Sequence, residues 1–88
     1  MKAVSFPLSE TLFLRVEPAA GGHLVALWNG TEMLASTETP DLLRLLKRPG
    51  SVVAAAPLEL RNDMRTITVK HKGRSVGVFE KHELISVL

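Results

Sequence analysis

Hydrophobic and polar residues alternate with a period of two over most of this chain, and one stretch near the middle changes to helical spacing. From Thr11 to Glu17, Leu12, Leu14 and Val16 alternate with Thr11, Phe13 and Arg15, the pattern of a strand with Phe13 on its otherwise polar face. Pro18 to Gly22 turns the chain, and His23 to Trp28 leads into Asn29-Gly30. That dipeptide supplies the two positive-φ residues of a type I′ hairpin turn, so Thr31 to Ser36 is expected to return as the next strand.

Helical spacing follows, with Thr39 as N-cap, Pro40 at the first helical position and Asp41 complementing the helix dipole. Leu42, Leu45 and Leu46 share a face, Arg44, Lys47 and Arg48 occupy the last turn, and Pro49-Gly50 ends the element. Val52 to Leu60 is a nearly continuous apolar run, read as one strand whose later part Pro57 places at an edge or bulge. Arg61-Asn62-Asp63 is expected to turn. Arg65 to His71 then alternates as a half-exposed strand with His71 closing its core-facing row, and Ser75 to Phe79 pairs with it across Lys72-Gly73-Arg74. The remaining EKHELISVL is either a short helix or a single turn at Glu80 to Leu84 leading into a last strand ISVL, and the β-branched Ile85 and Val87 favour the second. No internal repeat is visible.

These elements predict an α+β fold: a small, mainly antiparallel sheet or partly open barrel of five to seven short strands with one short helix at about residues 40–48. A chain of 88 residues makes one domain, 1–88, and 45% hydrophobic with 23% charged residues is a globular composition. Without cysteine there is no disulfide, thiolate zinc site or cysteine nucleophile. The uncharged run from Pro18 to Thr31 is too short and too broken to span a bilayer, and the N-terminus lacks a signal-peptide pattern, so a cytoplasmic protein is expected.

Charge divides unevenly along the chain. Residues 1–43 carry two basic and five acidic side chains, and residues 44–88 carry nine basic and four acidic, so the formal +2 hides halves of −3 and +5. The basic candidates are Arg44, Lys47 and Arg48 at the helix end, Arg61 and Arg65, and Lys70, Lys72 and Arg74 in a hairpin loop. Together they suggest a phosphate-contacting surface. With only Phe6, Phe13, Trp28 and Phe79 as aromatics, stacking platforms for bases are scarce.

Catalytic motifs fail on context. Gly73 to Gly77 reads G-x-S-x-G, but Ser75 leads into a strand pattern, where a nucleophile elbow needs a helix. His82-Glu83 opens like a zinc-protease motif, yet Ser86 stands where the second histidine belongs, and His23, His71 and His82 have no ligand spacing. No catalytic residue, metal ligand, cofactor or small-molecule substrate is indicated. If Leu24 and Ala26 share its face, Trp28 packs in the core, the favoured reading; if that face is exposed, Trp28 is an interface anchor, and Phe13 marks an interface or a second covered face.

The expected function is therefore a non-catalytic binding or adaptor module acting on a protein partner or on a second copy of itself. Edge pairing at the strand containing Pro57 or at ISVL would join such a homodimer. The alternative is a small nucleic-acid-binding protein using residues 70–74 and 44–48.

Overall fold

In the computed structural model, which describes residues 2–40 and 42–88, the chain forms two antiparallel meanders of four strands each. The first sheet is β1 (Val4–Pro7), β2 (Leu12–Ala19), β3 (Gly22–Asn29) and β4 (Glu32–Thr39), in that spatial order. Helix α1 (Leu42–Leu45) leads to the second sheet, β5 (Val52–Ala55), β6 (Leu58–Asp63), β7 (Thr66–His71) and β8 (Arg74–Glu80), which ends in α2 (Lys81–Ile85).

The α+β class is as expected, with more strands and one more helix than the sequence pattern suggested. One core takes Leu14, Val16, Val25 and Leu27 from the first sheet, and Leu58, Leu60, Ile67 and Val69 from the second. Leu42, Leu45 and Leu84 cover it from the helices. Each of those leucines, burying nearly its whole side chain, contributes about 1.5–3 kcal/mol. Phe6 on β1 stacks on Phe79 on β8, ring centroids 4.5 Å apart, and ties edge strand to edge strand.

Several local readings need correction. The hairpin after Trp28 turns at Gly30-Thr31, because Asn29 pairs with Glu32. Only Gly30 has positive φ (60°), the type II′ pattern. The type I′ pattern falls instead at Lys72-Gly73, with φ of 53° and 80°. Val52 to Leu60 is not one strand: Ala55 pairs with Leu58, and Ala56-Pro57, joined by a cis peptide bond, forms a hairpin tip. Arg61-Asn62-Asp63 does not turn; it is the end of β6, and the reversal comes at Met64-Arg65.

The C-terminal segment is helical rather than a strand, since Leu84, Val87 and Leu88 at helical spacing pack on the core. Helix α1 is shorter than expected, and beyond it the bonds tighten to Leu46 N–H on Leu43 O and Lys47 N–H on Arg44 O, both 3.2 Å. Asp41 and its proposed dipole role lie outside the described residues.

The chain also carries an internal repeat that its sequence conceals. In β3–β4, Leu27 faces Ala35 and Trp28 faces Met33, so Leu34 bulges out. In β7–β8, Val69 faces Gly77 and Lys70 faces Ser75, so Val76 bulges out. The two bulges lie 42 residues apart, and the same offset takes Val25 to Ile67, turn 30–31 to turn 72–73, and Leu42, Leu45 and Leu46 to Leu84, Val87 and Leu88. Two copies of a four-strand meander with a bulged last strand, each followed by a helix, therefore face each other across the core.

Candidate functional site

Register fixes which side chains leave the core. On the first sheet, Pro7 pairs with Phe13, Phe13 with Trp28, and Trp28 with Met33, so these four form one row across the outer face. The Phe13 and Trp28 rings lie 6.3 Å apart and are parallel within 3°. Met33 is 51% exposed and Phe13 and Trp28 are half-buried. Leu24 and Ala26 do share the face of Trp28, but it is the outer face, and the expectation that Trp28 packs in the core is overturned. Its indole Nε1–H is covered and without a hydrogen-bond partner, so what Trp28 presents outward is ring surface. The rows beside it read Arg15, Ala26, Ser36 and then Glu17, Leu24, Glu38, with Arg15 Nε 3.5 Å from Glu17 Oε2.

The repeat provides an internal comparison. The second-sheet counterpart of Phe13, Trp28 and Met33 is Glu59, Lys70 and Ser75. There Lys70 Nζ stands 4.0 Å from Glu59 Oε2, an ordinary solvated cross-strand ion pair. The fold thus accepts a polar row at this position.

The basic candidates do not make one surface. Lys70, Lys72 and Arg74 surround the β7–β8 tip, beside the Ala56-Pro57 tip, where Lys72 N–H donates to Pro57 O (2.8 Å). Lys70 and Lys72, with Ala56, Pro57, Leu58, Glu59 and Gly73, line a shallow hollow of about 480 Å³. Arg44, Lys47 and Arg48 lie at the other end of the second sheet, where Val52 pairs with Arg61. Six residues of β7 separate the two ends by roughly 17–20 Å. Arg65 is at the α1 end too, but it lines a different hollow with Glu80, Lys81 and His82.

Ser75 stands in strand β8, six residues before α2 begins, so no strand-to-helix elbow presents it. His71 ends the core-facing row as expected, with Nε2 buried and unpaired, and His82 Nδ1 is 3.7 Å from Glu80 Oε2. Among the described residues no group of three metal-ligating side chains comes together, and no helix is long and apolar enough to cross a membrane. Strand β5, which leads to Pro57, is an edge strand, whereas ISVL offers no strand edge.

Sequence reasoning missed Asn62, which looked like a turn residue and is fully buried. Its Nδ2 donates to Leu45 O (2.9 Å), its N–H to Ser51 O (2.9 Å), and its carbonyl accepts from Gly50 N–H (2.6 Å). Asn62 thereby fixes the end of α1 and with it the three cations there. Its position opposite Ile67, in a strand with Leu58 and Leu60 on the same face, was the available signal. Comparison with protein-family models, curated proteins and solved structures finds no match to this chain.

Proposed function

We propose that this protein is a non-catalytic binding module that docks a protein partner through the outer face of its first sheet. The observation that carries the reading is the Phe13–Trp28 stack, set where the repeat's other copy has the Glu59–Lys70 ion pair. Large rigid aromatics lose little side-chain entropy on docking and are enriched at interaction hot spots. Glu17, Glu32 and Glu38 lie on or beside this face, so it suits a partner with an apolar centre and a basic rim.

The test exchanges one copy's row for the other's. The Phe13→Glu/Trp28→Lys variant places the second sheet's pair in the first sheet, and the fold already accommodates that pair. Wild-type and variant chains are immobilised and their captured proteins compared quantitatively, with Lys72→Ala/Arg74→Ala as a control at a remote tip. Selective loss on the first variant supports the reading; equal capture on all three refutes it. Sedimentation of wild type against the same variant shows whether the partner is a second copy.

A further inference from the structure

The end of α1 carries a second site, independent of the aromatic face. Arg44, Lys47 and Arg48, with Ser51 and Val52, line an open hollow of about 580 Å³. Arg44 belongs to α1, Lys47 and Arg48 follow it in the tightened turn beyond, and all three reach the same hollow. Val52 pairs with Arg61, and paired residues project to the same side of a sheet, so Arg61 adjoins the hollow from β6. All four cations are exposed, and among the described residues none makes an ion pair.

The two copies of the repeat treat the positions of Arg61 and Arg44 differently. The counterpart of Arg61 is Arg15, which is paired with Glu17. The counterpart of Glu17 is Asp63, and Asp63 accepts a hydrogen bond from Thr68 Oγ1 instead. Arg61 is left facing solvent. The counterpart of Arg44 is Ser86, whose hydroxyl donates back to Glu83 O (2.9 Å).

We propose that this hollow binds the sugar-phosphate backbone of a nucleic acid, with Arg44, Lys47, Arg48 and Arg61 each meeting a phosphate. Three of the charges line an open concavity with Arg61 beside it, rather than converging on one buried point, which suits successive phosphates of a polymer better than a single small anion. The concave shape favours a strand or rod over a flat lipid surface, which would touch only its rim. No aromatic side chain lines the hollow, so binding is independent of base sequence.

Fluorescence anisotropy of labelled single-stranded and duplex DNA tests this. For four phosphate contacts on duplex, a rise in salt from about 25 to about 100 mM weakens binding roughly 150-fold. With Arg44→Ala/Arg48→Ala two contacts remain, and the same rise weakens it only roughly 12-fold. Lys47→Ala/Arg61→Ala, on different elements, gives the same reduced salt dependence, and Lys72→Ala/Arg74→Ala retains the wild-type value. The proposal is overturned by no binding at the lower salt, by binding insensitive to salt, or by binding that only the 72/74 variant weakens. Tighter binding to anionic vesicles than to DNA overturns it in favour of a membrane surface.

Discussion

The Asn62 amide reaches across from the second sheet and donates to the carbonyl of Leu45, 2.9 Å away in α1, inside the core. Ser51 Oγ lies 2.7 Å from both Leu45 O and Arg48 O, but one hydroxyl proton serves one acceptor at a time. Asn62 is therefore the steady donor to the end of a helix too short to hold itself. Asn62→Ala removes that donor and leaves a void, and is expected to cost about 1–3 kcal/mol. In thermal unfolding this is a fall of roughly 5–15 °C. An unchanged midpoint would show that Asn62 does not hold α1.

Gly77 and Ala35 occupy the same place in the repeat, and only the first has to be glycine. A Cβ at Gly77 would lie 2.7 Å from Leu8 Cβ and 3.1 Å from Leu8 O, and its φ of 154° disfavours a side chain. Gly77→Ala is expected to destabilise by about 2–3 kcal/mol. Ala35→Gly should cost about 1 kcal/mol through backbone entropy. Denaturant unfolding of the two variants measures the difference, and equal losses would contradict the close approach of Leu8.

The two aromatic stacks should respond differently to substitution. Phe79 is 5% exposed and packs on Phe6 in the core, so Phe79→Ala is expected to cost about 3–5 kcal/mol. Phe13→Glu/Trp28→Lys forfeits a surface stack of about 0.5–1.5 kcal/mol and part of the burial of two half-buried rings, and gains an exposed ion pair of about 0–1 kcal/mol. Its unfolding midpoint should fall by less than that of Phe79→Ala. A loss as large as that of Phe79→Ala would mean the aromatic row supports the fold.

Periodicity revealed most of the strands because each sheet has one core face and one outer face. It placed the Trp28 hairpin within a residue or two, and erred on the turn because Asn29-Gly30 satisfies two registers and pairing chooses between them. It passed over β1, where four residues with a terminal proline give too little alternation. The apolar run through Pro57 hid a hairpin, since both arms are hydrophobic and the reversal needs only Ala56 and Pro57.

The repeat was invisible because its copies differ almost everywhere except in which positions are buried. At the 42-residue offset Glu38 and Glu80, Leu42 and Leu84, and Leu46 and Leu88 are identical, while Trp28 meets Lys70 and Ala35 meets Gly77. The basic residues were all legible as a set. Their separation to opposite ends of the second sheet depends on which strands pair, and composition carries no trace of that.

Trp28 is the chain's only tryptophan, so a fluorotryptophan label places a single fluorine resonance on the proposed contact face. Docking through the first sheet shifts this resonance and removes its sensitivity to solvent isotope when the captured partner is added, or when the chain is concentrated if the partner is itself. A complex that forms while the Trp28 resonance keeps its position and its solvent sensitivity would contradict docking through the first sheet.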